Sequence, residues 1–286
     1  MPPTASLFIA IASVTLAALL TASPGAADLN LIFGTYTADK PTTTVRKFKP
    51  FLTFLAGAMS ERLGEQVTIS MAISRSYNDG IDALVQGQVD FARFGPASYV
   101  TAKQAEDGIS IIAMESSKGK KTFKGIIAVH QNSTFNSLAD LRNGRFAFGS
   151  ELSTIGRFLA QSELLDVDIS AKDLEYFEYL GRHDRVGTAV GAGDFDAGAL
   201  KSSTFAKLVK KNVPIRELVS FDNVTKPWLA RAGLDPAIVE TMRRVMLETK
   251  DIEVLESVSK SGFLEGNDND YVTIREAINR SMEFGG

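Results

Sequence analysis

From residue 29 onward, short apolar stretches typical of buried strands alternate with stretches whose apolar residues recur at helical spacing. Leu29–Tyr36 begins the series as a strand, and Val67 to Ile73 alternate as a second strand does. Between them, one helical face collects Phe48, Phe51, Leu52, Leu55 and Met59. Because a helix between two strands returns the chain to start a parallel strand, the alternation predicts a doubly wound α/β sheet.

The alternation continues to the end of the chain, but its character changes at a short basic run of Lys118, Lys120, Lys121 and Lys124. We interpret this run as a solvated surface turn and place the crossing into a second lobe there. Pro227-Trp228 marks the return. The sequence thus predicts two doubly wound α/β lobes joined by a hinge, with a ligand cleft between them. We expect 28–117 to form the first part of lobe 1, 118–222 to form lobe 2, and 223–286 to return to lobe 1 with the C-terminal helices.

The N-terminal segment has the pattern of a secretory signal peptide. Residues 7–20 are apolar or small, and small residues at 21–27 precede Asp28. The apolar run is short for a membrane span. We expect cleavage after Ala27 and a mature protein in the periplasm. Since residues 1–6 carry no Lys or Arg, an uncleaved anchor is the alternative.

Composition excludes several function classes. The net charge of −3 and the pI near 5.6 argue against a nucleic-acid partner. The chain has no cysteine, so disulfides, thiolate metal sites, cysteine nucleophiles and lipid attachment through an N-terminal cysteine are ruled out.

The stretch of residues 150–156, Ser-Glu-Leu-Ser-Thr-Ile-Gly, lies between an apolar strand pattern and a helix pattern. Ser153 or Thr154 is a suitable N-cap, and the first N–H groups of a helix attract anions. The two hydroxyls can donate to oxyanion oxygens, and Gly156 permits close approach of the backbone. An ordinary helix cap is the alternative interpretation.

Other polar residues follow other predicted strands, and the carboxyl ends of strands are where open α/β sheets bind ligands. The candidates follow five predicted strands, of which two belong to the first lobe and three to the second. The candidate ligand-binding residues are Tyr36, Ser98, Tyr99, Ser153, Thr154, His183 and Asp196.

The order of these motifs along the chain is specific, although each alone is weak. They are Tyr36, Phe94-Gly-Pro-Ala-Ser-Tyr99, Ser153-Thr154-x-Gly156, His183-Asp184 and Asp196-Ala-Gly198. In this order they resemble the phosphonate/phosphite/phosphate-type periplasmic substrate-binding proteins of ABC transporters, in the type II periplasmic-binding superfamily. The chain departs from the family at Ile155, where a second serine is common, and at Arg93, where an uncharged residue is usual.

The resemblance implies a non-enzymatic, monomeric receptor without cofactor or metal, which closes over a small phosphorus oxyanion and delivers it to a membrane permease. It also implies roles for the candidates. Ser153 and Thr154 would donate to the oxygens from one lobe, and Tyr36 and Tyr99 from the other. His183 would add a hydrogen bond. Asp196 would accept from a protonated ligand oxygen and reject sulfate, so that replacing it with Asn relaxes this discrimination.

The rest of a larger ligand would touch the loop from Thr37 to Thr44 and the arginines Arg75, Arg93 and Arg157. Each candidate also has a structural alternative: packing for the two tyrosines, a helix cap for His183, and a turn or salt bridge for Asp196. Phosphate, phosphite and phosphonates all fit the expected shell.

Four other interpretations of the same sequence are a sensor, an enzyme, an iron site and a calcium site. A sensory protein could present the same pocket to a membrane histidine kinase. An enzyme is disfavoured because no nucleophile-elbow motif surrounds Ser153, and because porphobilinogen deaminase, an enzyme of similar fold, needs a cysteine. An iron site at Tyr176 and Tyr179 is disfavoured because the two side chains point to opposite faces of a strand. The acidic stretch 265–270 lacks the spacing of a calcium-binding EF-hand loop.

Overall fold

The computed structural model describes Met1 and residues 28–36, 41–258 and 261–285. The predicted signal peptide lies outside the described residues, apart from Met1, as does the first half of the predicted loop 37–44. The second half of that loop is helical, since the first helix begins at Pro41, and proline is well suited to a first helical turn.

Strands and helices alternate as the sequence predicts. The strands are β1 (Leu29–Tyr36), β2 (Val67–Ser74), β3 (Phe91–Arg93), β4 (Ser110–Glu115), β5 (Thr122–His130), β6 (Arg145–Phe148), β7 (Tyr176–Tyr179), β8 (Ala197–Lys201), β9 (Ile215–Val224), β10 (Pro227–Ala230) and β11 (Phe263–Leu264). The α-helices are α1 (Pro41–Leu63), α2 (Tyr77–Val85), α3 (Pro96–Ala105), α4 (Ala160–Leu165), α5 (His183–Ala192), α6 (Ser202–Lys210), α7 (Pro236–Glu248), α8 (Ile252–Val258) and α9 (Val272–Phe284).

The strands form two sheets, in the orders β11-β4-β10-β3-β1-β2 and β7-β6-β8-β5-β9. Each sheet has a parallel part, β3-β1-β2 in the first and β7-β6-β8 in the second. The predicted fold class of two α/β lobes is confirmed, but the sheets are mixed. In the first sheet, the returning strand β10 inserts antiparallel between β3 and β4. In the second sheet, β5 is antiparallel to both of its neighbours.

Both faces of each sheet are covered, as successive strand residues show. In β3, Phe91 packs in one core of the first lobe and its neighbour Ala92 in the other. In β5, Ile126 and Ile127 divide in the same way between the two cores of the second lobe. A strand buried on both faces reads as a continuous apolar run, which is why these segments are evident in the sequence.

The chain passes between the sheets at two adjacent crossovers, after β4 and after β9. The crossovers are hydrogen-bonded to each other, because the Thr225 N–H donates to the Lys121 carbonyl at 2.8 Å. The terminal helix α9 touches both lobes: Ile274 and Ala277 pack in the first lobe, and Phe284 packs in the second. None of the helices in the described ranges has the length and apolar character needed to cross a membrane.

Candidate functional site

Tyr36 is the last residue of β1, and hydrogen bonds fix its hydroxyl group. The Gly95 N–H donates to the Tyr36 hydroxyl oxygen at 2.7 Å, and Ser98 Oγ lies 2.8 Å from that oxygen. The ring stacks on Tyr77 and Phe94, with centroids 4.0 and 5.3 Å away. Burial raises the pKa of Tyr36. The phenol therefore stays protonated. Either hydroxyl can donate in the Tyr36–Ser98 contact, and when Ser98 is the donor the Tyr36 proton is available to a ligand.

The turn between β3 and α3 brings a helix N-terminus to the same place. Gly95 is the N-cap of α3 and Pro96 its first residue, so the first free N–H belongs to Ala97. That N–H donates to Thr154 Oγ1 at 2.9 Å. Because Thr154 belongs to the second lobe, this hydrogen bond joins the two lobes across the cleft.

The stretch 150–156 is a strand-to-helix turn, as predicted, with Ser153 as the N-cap. Ser153 Oγ accepts the Gly156 N–H at 2.9 Å. The helix opens as a π-helical turn, Thr154–Leu159, and continues as α4. Gly156 packs against Gly149, the residue that follows β6: a Cβ on Gly156 would lie 2.7 Å from the Cα of Gly149. Only glycine permits this approach, and it sets the position of the Ser153 hydroxyl.

Three hydroxyl groups at this cleft share one arrangement. Those of Tyr36, Ser153 and Thr154 each accept a backbone N–H, from Gly95, Gly156 and Ala97. A hydroxyl oxygen that accepts in this way keeps its own proton to donate. All three residues line one cavity of about 660 Å³ between the lobes. We call these three residues the hydroxyl site.

His183 and Asp184, at the start of α5, line the same cavity. The Asp184 carboxylate is held by Arg182, at 2.9 Å from Nε and 2.5 Å from Nη2. The hydrogen bond from Arg182 lowers the pKa of Asp184. Asp184 therefore stays ionised, and its charge is compensated by an arginine on the same turn.

Ser98 and Tyr99 follow on α3 but are not among the residues that line the cavity. Ser98 acts through its contact with the Tyr36 hydroxyl. Tyr99 points away from the cleft: its hydroxyl donates to Asp268 at 2.7 Å, and its ring meets Tyr271 edge-on at 4.7 Å. The structure therefore differs from the prediction that Tyr99 faces a ligand, because adjacent residues of a helix point in directions about 100° apart.

Asp196 also differs from its predicted place. It precedes β8, at the amino end of that strand, and accepts from the Arg145 N–H at 2.8 Å and from Arg145 Nη2 at 3.0 Å. This is the salt bridge that the sequence left open as an alternative. The carboxyl end of β8 is Lys201, and it is Lys201 that lines the cavity. The rule that ligands lie at carboxyl ends holds, but Asp196 stands at the amino end of its strand.

The cavity has more basic than acidic residues in its lining. The carboxylates among the described residues that line it are Asp184 and Glu256. Its basic residues are Arg46, Lys47, Arg93, Lys201, Lys207 and Lys226. Of the residues expected to touch the rest of a ligand, Thr44 and Arg93 line this cavity, whereas Arg75 and Arg157 are not among the lining residues.

Arg93 is held by a buried carboxylate. Its guanidinium donates to both carboxylate oxygens of Glu115, at 2.7 and 2.9 Å, and lies 5.4 Å from the centre of the Phe48 ring. Burial by itself raises the pKa of Glu115, but the Arg93 charge and hydrogen bonds outweigh it and lower that pKa to about 2. The unusual arginine in a strand is thus explained by a buried carboxylate on the next strand but one.

Asn223 was not predicted as a site residue. It lies near the end of β9, is almost fully buried and lines the cavity. Its Oδ1 accepts no hydrogen bond from the residues that the structure describes. A buried polar atom without such a partner is costly unless a ligand or water satisfies it. No sequence signal distinguished this asparagine from others.

A family model described as "ABC transporter, phosphonate, periplasmic substrate-binding protein" matches residues 33–271. This range includes both lobes and the whole hydroxyl site. The chain belongs to this phosphonate-binding family. As a member, it is the periplasmic substrate-binding component of an ABC transporter and not an enzyme.

One relative in sequence and two solved structures are similar to this chain. A probable ABC transporter phosphite binding protein, PhnD1 of Prochlorococcus marinus, is 27% identical over 211 residues, which are 66% of this chain and 70% of PhnD1. The PhnD1 structure in complex with methylphosphonate has a TM-score of 0.74 at 23% identity and covers 88% of this chain and 97% of its own. A Xanthomonas citri protein bound to ATP has a TM-score of 0.74 at 20% identity and covers 90% and 99%. These structural matches show the fold.

Proposed function

We propose that this protein captures a small phosphorus oxyanion of the phosphonate, phosphite or phosphate class between its two lobes and delivers it to the permease of an ABC transporter. We further propose that residues 1–27 act as a cleaved export signal and that the protein acts as a monomer. The observation that carries the proposal is the hydroxyl site, in which donors from both lobes meet at one cavity.

The chemistry of the hydroxyl site suits a tetrahedral oxyanion. Such an ion presents several acceptor oxygens in different directions and has little need for acceptors in its site. Tyr36, Ser153 and Thr154 offer protons to those oxygens as charge-assisted hydrogen bonds, which are stronger than neutral ones. His183, at the same cavity, is well placed to add a donor. No full positive charge is needed at the hydroxyl site itself.

The connection between the lobes suits capture by closure. Residues 116–121 and 225–226 connect the sheets, and we propose that they form the hinge. A ligand held by Tyr36 from one lobe and by Ser153 from the other favours the closed arrangement, because only that arrangement satisfies both sets of hydrogen bonds. Membership of a transporter family does not favour the sensory alternative.

Isothermal titration calorimetry of the purified protein with methylphosphonate, phosphite and phosphate tests this function. At least one of the three is expected to bind, and Tyr36→Phe should weaken that binding by about ten- to hundredfold, the effect of losing a hydrogen bond to a charged group. Tyr176→Phe, an exposed tyrosine outside the cavity, is the matched control and should bind as the natural protein does. If none of the three compounds binds, the proposed function is wrong.

A further inference from the structure

The side chain of Asn223 lies on the face of β9 that carries the π-helical turn Thr154–Leu159. Residues two apart in a strand share a face of the sheet, so Asn223 shares its face with Phe221, which packs in the same core as Ile155. The strand β9 and the π-helical turn are also in direct contact. The amide of Asn223 therefore lies in the same wall of the cavity as Thr154.

Asparagine is an unfavourable residue at this position of the fold. Asparagine is disfavoured in strands, and the buried residues Phe221 and Val224 on either side of it are apolar. Asn223 is 3% exposed, and its Oδ1 accepts no hydrogen bond from the part of the chain that the structure describes. A buried acceptor in this state has lost its hydration without compensation. A leucine of similar size avoids both costs, so packing alone does not explain the amide.

The buried hydroxyl groups in the same cavity wall have partners within the protein. Ser153 Oγ accepts the Gly156 N–H and Thr154 Oγ1 accepts the Ala97 N–H, each at 2.9 Å. The Oδ1 of Asn223 has no such partner among the described residues. Because this atom belongs to a side chain that lines the cavity, a molecule bound there can supply the missing hydrogen bond.

A side-chain amide suits a phosphoryl group in particular. Its NH₂ group donates two hydrogen bonds and its oxygen accepts, and a rotation of 180° exchanges the two ends. Phosphoryl groups gain or lose a proton near neutral pH, with a second pKa of about 6 in a phosphate monoester. The amide can therefore donate to an unprotonated ligand oxygen or accept from a protonated one.

We propose that Asn223 is a further ligand-binding residue, whose amide forms a hydrogen bond with an oxygen of the bound phosphorus oxyanion beside Ser153 and Thr154. This inference rests on the proposed function and adds a contact from β9, the strand that leads into the second crossover. The orphaned amide of the ligand-free protein is thus a binding group that the ligand completes.

Asn223→Leu removes the amide and keeps the approximate size of the side chain. Calorimetry with methylphosphonate, phosphite and phosphate should show that each ligand of the unsubstituted protein binds this variant at least about tenfold more weakly. The melting temperature of the ligand-free variant should rise by roughly 2–6 °C, because a buried acceptor without a partner is gone. An affinity within about threefold of the unsubstituted protein, or a loss of affinity together with a lower melting temperature, would overturn the inference.

Thr249→Val is the matched control for removing a buried polar atom. Thr249 Oγ1 also has no hydrogen-bond partner among the described residues, and Thr249 is buried but is not among the residues that line the cavity. This change should raise the melting temperature and leave the affinity unchanged. Asn132→Leu, at an exposed asparagine outside the cavity lining, should leave the affinity unchanged as well.

Asn223→Asp tests direct contact with the charge of the ligand. A carboxylate at this position repels a deprotonated phosphoryl group more than a protonated one. The affinity of Asn223→Asp for methylphosphonate, relative to the unsubstituted protein, should therefore fall from about pH 6 to about pH 9. Asn132→Asp should show no such trend, and a relative affinity of Asn223→Asp that does not depend on pH would overturn the inference.

The same titrations separate this inference from the proposed function. If the unsubstituted protein binds one of the three compounds and Asn223→Leu binds it equally well, the inference is wrong and the proposed function stands. If none of the three compounds binds the unsubstituted protein, both are wrong.

Discussion

The hydroxyl of Thr154 does two things at once: it accepts the Ala97 N–H and keeps a proton to donate. Thr154→Val keeps the shape of the side chain and removes both. We expect the affinity for methylphosphonate to fall about ten- to hundredfold in calorimetry, because a hydrogen bond to a charged group is lost. Thr101→Val is the matched control, since Thr101 lies on α3 outside the cavity. If Thr154→Val binds methylphosphonate as tightly as the unsubstituted protein does, Thr154 is not part of the ligand site.

Asp196 is expected to matter for stability and not for binding. Burial raises its pKa, but the hydrogen bonds from Arg145 outweigh this and lower it. A carboxyl group whose pKa is lowered by folding stabilises the protein at a pH above its ordinary pKa. This stabilisation is lost as the pH falls from the ordinary pKa to the lowered one. Asp196→Asn should leave ligand affinity and sulfate discrimination unchanged, and should lower the melting temperature at pH 7 by a few degrees at most, since the pair is partly exposed. A clear gain in sulfate binding would restore the role first predicted for Asp196.

At the residue scale, the sequence predicts those site residues that come directly after strands recognisable from the sequence. Tyr36, Ser153, Thr154 and His183 line the cavity because their strands and turns are where the pattern places them. Asp196, predicted as a site residue, lies at the start of the apolar run at 195–200, and Lys201, which follows the end of that run, lines the cavity instead. Asn223 and Lys226 enter the site through the second crossover, and no local pattern reveals where a crossover lies in space.

The turn from β6 into the π-helical segment depends on glycine. A Cβ on Gly156 would meet the Gly149 Cα at 2.7 Å and Ser153 Oγ at 2.9 Å. Gly156→Ala should therefore destabilise the protein by about 1–3 kcal/mol in urea denaturation, since packed backbone must move, and should weaken ligand binding through Ser153. Gly57→Ala is the control: nothing lies within 4 Å of a Cβ there, on a helix. That change should stabilise the protein by about 0.5–1 kcal/mol. Equal effects of the two changes would contradict this account of the turn.

The Arg93 and Glu115 pair couples the strand β3 to β4, which lie on either side of β10. Glu115 has a pKa of about 2 against an ordinary value of 4.5, so its contribution to stability is present above about pH 4.5 and is lost as the pH falls towards 2. The shift corresponds to about 3 kcal/mol.

Glu115→Gln should lose the pH-dependent contribution of Glu115 to stability. The free energy of unfolding of this variant should therefore decrease less between pH 5 and pH 2. The exposed Glu283→Gln should keep the slope of the natural protein. Arg93→Met should be the more damaging single change at pH 7, because it leaves a buried carboxylate unpaired. If the unfolding free energy of Glu115→Gln depends on pH as it does in the unsubstituted protein, the pair does not govern stability in acid.

At the element scale, the sequence predicts the strands and helices well because most strands are buried on both faces and appear as apolar runs. The sequence does not predict the order and direction of the strands in the sheets. The sequence predicts that the chain returns at Pro227-Trp228, but its insertion antiparallel between β3 and β4 depends on packing of Trp228 against Phe33 and Phe51. Those contacts join residues far apart in the chain.

The molecule as a whole should behave as two bodies that a ligand holds together. Any compound that binds the folded state stabilises it by mass action, by about 2.7 kcal/mol at a hundred times its Kd. For a protein of this size that corresponds to roughly 5–10 °C in melting temperature. Thermal unfolding with increasing methylphosphonate should show this rise, while Thr154→Val at the same concentrations should show much less. A melting temperature that does not depend on any phosphonate would contradict ligand capture.

The central claim is that hydroxyl groups from two lobes hold the same phosphorus oxyanion, and a crystal structure of the protein with bound methylphosphonate tests it most directly. We expect the phosphonate oxygens to lie within about 2.5–3.0 Å of the hydroxyl oxygens of Tyr36, Ser153 and Thr154, with the methyl group directed towards the rest of the cavity. A phosphonate bound elsewhere, or one held by only one lobe, would contradict the claim.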